Sequence, residues 1–189
     1  MPGGLDLHLD LGHRLLLAMP SQAGGYFADT VTYICRHNSE GTLGLIINQP
    51  LDLSFDELLG RIGIHSADGT SLEVLAGGPV REDQGLVLHS DDVVFPESDA
   101  LGNGLCLTLS SDILKAIAEQ HGPAKVLFTL GYAGWGAGQL EAELEQHAWL
   151  SLTADQDILF AVPAAQRLAH AQALSGADLS LLGGQIGHA

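Results

Sequence analysis

KVLFTLGYAGWGAGQLEAELEQHAWLSLT, Lys125 to Thr153, changes pattern three times. A β-prone apolar run, AKVLFTL, meets four glycines at Gly131, Gly134, Gly136 and Gly138, with Tyr132 and Trp135 set between them. QLEAELEQH then has the pattern of an acidic amphipathic helix, and AWLSLTA is strand-like again. The stretch therefore predicts strand, glycine loop, helix, strand. Whether that unit belongs to a regular βαβ array or to a mixed sheet depends on its surroundings.

Upstream, LCLTLS reads as a strand, and Ser110 or Ser111 opens the helix DILKAIAEQH, which Gly122 and Pro123 stop. LEVLAGGPV and QGLVLHS are two β-like runs around Gly77, Gly78 and Pro79, followed by DDVVFPESDALGNG, which reads as solvated loop. Ser54 and Glu57 have capping-box spacing, with Leu53 and Leu58 as a hydrophobic staple, so a helix should run to about Ile62 with Gly63 at its end. Residues 30 to 48 read as a β-hairpin: VTYICRH puts Val31, Tyr33 and Cys35 on one face, and GTLGLIINQP returns until Pro50. Arg14 to Met19 is another strand. The tail reads as a helix from Pro163 to about Gly176, then a shorter one. Strands dominate and the helices fall irregularly, which predicts one α+β domain over residues 1 to 189 with a mixed sheet.

Composition excludes several functions. Seven Lys and Arg stand against twenty-three Asp and Glu, a formal charge of -16. A duplex-binding protein commonly neutralises about 6 to 10 phosphates, yet the cations here are scattered singly and no polybasic stripe is present. The chain should repel nucleic acid and anionic membranes alike. No apolar run approaches the length of a membrane span, and the first residues lack the pattern of a secretory signal, so the expected location is the cytoplasm. Cys35 and Cys106 lie far apart in apolar runs and read as reduced, buried thiols.

The glycine loop lies where phosphate-binding loops occur, between strand and helix. Its spacing, G-x-x-G-x-G-x-G, matches neither dinucleotide nor P-loop fingerprints, no cation is near, and acids follow at once. Two readings remain: a tight turn in which Tyr132 and Trp135 are packing plugs, or the rim of a cleft or partner surface. The nine histidines form no compact ligand pair, although Cys35 and His37 are expected on one strand face, so no metal and no cofactor are expected. His89, Ser90 and Asp91 are neighbours, but adjacent strand residues point to opposite faces and make no triad; His89 and Ser90 are expected to satisfy backbone groups at a strand end.

LLLAMPSQAGGYFADTVTYICRHNSEGTLGLIINQPL, LAGGPVREDQGLVLHS, LGYAGWGAGQLEAEL with AWL, and the terminal GHA occur in register from about residue 13 onward. Together they resemble the AlgH/YqgE family of bacterial proteins. The resemblance implies a coiled, branched sheet with a small barrel-like core surrounded by helices, and a cytosolic protein; some members are labelled transcriptional regulators. It brings no catalytic residue or cofactor. Matched motifs nominate Pro20, Asn48, Pro50, Gly77, Gly78, Pro79, His89, Ser90, Gly131, Tyr132, Trp135, Gly138, Gln139 and Glu141 as a pocket or partner surface. One departure is AQRLAHA, where the family often has an Arg-Trp pair.

The expectation is a non-enzymatic protein that acts through a protein or small ligand without gripping DNA. The alternative is a small-molecule-binding protein or enzyme with a glycine-lined pocket, for which Gly78, His89 and Trp135 should surround one concavity. Apolar SLLGGQIG offers a third possibility, a self-association surface.

Overall fold

The computed structural model describes residues 10–20, 25–66 and 69–176. Among them the period-two runs form nine strands: β1 Arg14–Ala18, β2 Val31–Asn38, β3 Gly41–Ile46, β4 Val74–Ala76, β5 Val80–Ser90, β6 Ser98–Gly102, β7 Leu105–Thr108, β8 Val126–Gly136 and β9 Trp149–Thr153. Three α-helices fall between them, α1 Phe55–Arg61, α2 Ser111–Ala118 and α3 Gln139–Glu145, and two follow β9, α4 Asp157–Phe160 and α5 Arg167–Ser175. The ladder order is β6-β7-β5-β8-β3-β2-β1-β9, antiparallel throughout, while β4 runs parallel beside β8. The class is α+β with a mixed sheet.

The sheet curls into a half-barrel. Its ladder ends at β6, and side chains carry that strand back toward β2. His13 donates through Nε2 to the Leu101 carbonyl (2.9 Å), its Nδ1 meets the Tyr33 hydroxyl (2.7 Å), and Arg36 pairs with Asp99. Strand alternation then sorts the core. Tyr33, Leu45, Leu86, Leu88, Leu105, Leu107 and Leu127 fill the inside. Val87 and Phe128 point outward to Phe55, Leu59, Ile113 and Ile117 of α1 and α2. Leu16, Ile34, Ala133, Trp135 and Trp149 point outward to Leu140 of α3.

The hairpin, the staple residues' shared cluster and the capping box are as expected: Ser54 Oγ accepts from the Glu57 amide, and Glu57 accepts from the Ser54 amide. Four expectations change. The glycine run is not a loop: β8 continues through it to Gly136, paired with β3 from Ala133 onward. Part of the supposed loop after Ser90 is β6, joined to β7 at Asn103-Gly104, both with positive φ, the turn chemistry that suits a tight hairpin. The register of β2 against β3 slips between Ile34 and Arg36, so Cys35 is an extra residue. That bulge turns Arg36 to the same side as Leu43 and sends His37 to the opposite face, separating it from Cys35. The tail helix is preceded by α4 and by a 3₁₀ turn at Ala164–Gln166; the further short helix, SLLGGQIG and GHA fall outside the described residues.

Arg167 is the buried Lys or Arg among the described residues. It donates to the carbonyls of Ile47 (2.5 Å), Leu159 (2.9 Å) and Val162 (2.9 Å), joining the end of β3 to α4 and α5. A guanidinium is the one side chain with donors enough, in a fixed fork, to satisfy three such carbonyls. Burial lowers its pKa, and Glu73 partly offsets that.

Candidate functional site

Two different needs explain the motif glycines, and separating them locates the site. β4 and β5 lie on opposite edges of β8, and the connection Gly77-Gly78-Pro79 passes from one to the other across the β8 backbone. Contact there is backbone on backbone. A Cβ on Gly78 would collide with the Tyr132 carbonyl, and one on Gly77 with the Gly131 carbonyl; Gly131 itself has φ +74° and faces the Gly78 carbonyl. Gly77, Gly78 and Gly131 are thus required by the crossing, which is also where the sheet branches: the Ile46 amide bonds to Gly77 O (2.8 Å) and the Gly77 amide to Leu130 O (2.8 Å).

Beyond the crossing, β8 alternates a covered face with an open one. Trp135 is 5 % exposed and faces α3. Its indole donates to Glu143 Oε2 (3.0 Å), and so does that of Trp149 (2.7 Å). Gln139 Nε2 donates to Glu143 Oε1 (3.0 Å), and Gln139 Oε1 accepts from the Gly136 amide (3.0 Å). Phe27 stacks on Trp135 and meets Trp149 edge-on. Gly138, with φ +71°, is the N-cap of α3, and Glu141 reaches back to His37 Nε2 (3.3 Å). WGAGQLEAE is therefore a lock that holds a helix onto the outside of the half-barrel. Glu143 was not singled out from the sequence because acids in a helix read as solvated charge; its spacing eight residues after Trp135 gives no signal until the strand places the indole.

The open face carries Tyr132 and Gly134, with Leu43 beside Gly134 and Arg36 beside Leu43. With Asn38, Glu40 and Val80 they line a groove of about 460 Å³ at the mouth of the half-barrel, bordered at the back by Trp135. This size lies within the range of small-ligand sites. Arg36, Asn38 and Glu40 did not stand out in the sequence, because the bulge at Cys35 decides their face.

The remaining nominated residues lie elsewhere. Gly78 and His89 do not line the groove. Asn48 is a clamp, its Oδ1 accepting from the Val31 amide (2.8 Å) and its Nδ2 donating to Asp29 O (2.8 Å). Pro50 bridges to Leu75, Pro79 is exposed in the crossing, and Pro20 is half-buried after β1.

His89 is fully buried, on the outer face of β5. Its Nδ1 is 2.8 Å from Ser90 O, which can only accept, so Nδ1 carries the proton and Nε2 accepts from the Thr108 hydroxyl (2.8 Å). Thr108 in turn takes the Ser98 hydroxyl (2.6 Å), and Ser98 Oγ accepts the Phe95 amide (3.0 Å). Every proton in the chain is assigned to a partner. Burial lowers the His89 pKa against the opposing effects of Ser90 O, Asp92 and Asp91. Ser90 bonds Asp92 and accepts the Lys125 amide (3.0 Å), while Asp92 accepts the Ala124 amide (3.0 Å). Together they tie the end of β5 to the start of β8. Burial pushes the Cys35 thiol up to about 12, and raises that of Cys106. Among the described residues no group of three His, Cys, Asp or Glu could hold a metal, and no helix is long and apolar enough to cross a membrane.

A curled, branched α+β sheet with a groove at its mouth and a Trp-anchored helix outside defines the class. The chain belongs to the AlgH-like family, whose model matches residues 15–180. It is 47% identical over 182 residues to a UPF0301 protein of Bordetella avium, covering 95% of this chain and 92% of the relative. A UPF0301 protein of Pseudomonas entomophila is 48% identical over 182 residues, with 95% and 96% covered. The solution structure of the AlgH protein from Pseudomonas aeruginosa superposes with a TM-score of 0.79 at 46% identity, covering 95% of this chain and 96% of that one. A Corynebacterium diphtheriae protein shares the fold at 20% identity, with a TM-score of 0.70 and 92% and 91% covered.

Proposed function

We propose that this chain is a non-catalytic binding protein of the bacterial cytosol, which takes a small ligand or a protein segment at the half-barrel mouth. Any regulatory effect then passes through that contact and not through a grip on DNA. One observation carries the reading: His89, Ser90 and both cysteines, the nucleophile and base candidates that the sequence offers, are committed to the fold, while the groove is open. His89 is buried with both nitrogens bonded, and the Cys35 thiol is buried and held protonated. The groove instead offers donors, an acceptor and apolar walls, which hold a molecule without transforming it.

The charge of -16 supports the second half, since phosphates would meet a repulsive surface. A thermal-shift panel of metabolites should give at least one saturable stabilisation, as binding to the folded state requires. Gel-shift titration at low salt should give no tight duplex binding. A blank panel against chemically diverse compounds, or salt-sensitive DNA binding by the pure protein, overturns the reading.

A further inference from the structure

Gly134, like Gly60 and Gly136, is a glycine that neither its φ nor its surroundings require, and of the three it is the one that lines the groove. Unlike Gly78 and Gly131 it has no positive φ, and a Cβ added to it would meet the Tyr132 ring at 3.5 Å and Val80 Cγ2 at 3.8 Å, ordinary contact distances. It sits in a strand, where glycine is unfavourable by roughly 0.5–1 kcal/mol relative to alanine. It is exposed, at the floor of the groove, between Leu43 on the neighbouring strand and the Tyr132 ring. What the missing side chain supplies is a flat floor.

Resting on the reading of the groove as a binding site, we infer that its ligand is a flat, uncharged heteroaromatic ring of nucleobase type, lying on the Gly134 backbone against Tyr132. Three features select that chemistry. A bare peptide floor beside an aromatic wall accepts a slab and leaves little to grip a branched aliphatic group. The polar rim presents both kinds of partner to a ring edge. Asn38 uses its Oδ1 on the Glu40 amide (2.9 Å) and so keeps its NH₂ to donate, Arg36 has N–H groups beyond those paired with Asp99, and the Glu40 carboxylate accepts. Charge excludes the anionic relatives: the Arg36 charge is matched by Asp99 and Glu40 adds a negative one, so a phosphate on the ring has no counter-charge in the groove. A free nucleoside or base fits; a nucleotide is repelled.

The test uses saturation-transfer NMR and thermal shift on the full chain with adenosine, uridine, adenosine 5′-monophosphate and trialanine as probes. Gly134→Val should keep the melting temperature of the parent protein, because the site has room for a Cβ and valine suits a strand. Its branches should fill the floor and weaken nucleoside binding by roughly tenfold or more, the scale on which a misplaced methyl is felt in a pocket. The monophosphate should bind more weakly than adenosine, and the difference should shrink as salt is raised. Failure of both nucleosides to saturate at millimolar concentration overturns the inference, as does a monophosphate that binds better. If trialanine alone binds and Gly134→Val blocks it, the ring assignment falls while the groove reading stands. If probes bind and Gly134→Val alters none of them, both fall.

Discussion

Replacing Glu143 tests the claim that the family's Trp-Gly-Gln-Glu stretch is a lock and not a ligand site. Both indole N–H groups converge on Oε2, at 3.0 and 2.7 Å, and the two rings are 5 % and 6 % exposed. Glu143→Ala leaves both donors without an acceptor and opens a space beneath α3. A hydrogen bond to a charged group contributes about 1.5–3 kcal/mol, and a stranded buried donor costs about 1–3 kcal/mol. Since Glu143 is partly exposed and water can reach its position, the net loss should be about 2–4 kcal/mol. At about 2–4 °C per kcal/mol for a domain of this size, the melting temperature should fall by roughly 4–16 °C.

Glu143→Gln is the sharper variant. Its carbonyl can face the two indoles only by turning its NH₂ toward the NH₂ of Gln139, and flipping Gln139 turns that NH₂ onto the Gly136 amide. One donor-to-donor contact remains in every arrangement, so a cost of about 1–2 kcal/mol should persist despite near-identical shape. The chain has two tryptophans and both are in the lock, so urea unfolding followed by indole emission reads it directly. Unchanged midpoints and unchanged native emission maxima in both variants would refute the reasoning.

Gly78→Ala puts a methyl into the Tyr132 backbone and should cost about 4 kcal/mol or more, seen as loss of folded protein by circular dichroism; Gly134→Ala should cost nothing measurable. The folded-state pKa of His89 is lowered, so its contribution is complete above the unfolded value near 6.5 and lost as pH falls through that value toward the folded one. Urea titrations from pH 7.5 to 5 should show this slope, and His89→Gln should flatten it while lowering stability at neutral pH. Arg167→Lys cannot reach three carbonyls with one ammonium and should lose about 2–4 kcal/mol, measured by the same unfolding assay.

Much of the fold was legible where the cause is local. The capping box needs only Ser54 and Glu57 at the right spacing, and the β2–β3 hairpin needs two apolar runs around a short polar turn. The buried state of Cys35 and Cys106 follows from their apolar runs. The glycine stretch misled because Gly131, Gly134, Gly136 and Gly138 look alike in one dimension. A glycine signals permission for unusual backbone, and the sequence does not say whether permission serves a turn, a crossing or an open floor. The bulge at Cys35 was likewise silent, and with it the face of Arg36; Glu143 and Arg167 have partners 4 to 120 residues away, which strand placement and packing bring to them.

By itself the sequence determined what neighbours along the chain can enforce: strand and helix periods, caps, the acidic balance, and the ordered motifs that mark the family. The tertiary structure alone decided that Gly77-Gly78-Pro79 crosses β8 and that Trp135 turns to α3 while Tyr132 turns to the groove. It also decided that His89 is locked inside. The physical reason is that a strand's two faces are fixed by register, register is fixed by pairing with distant strands, and one extra residue at Cys35 is enough to exchange them.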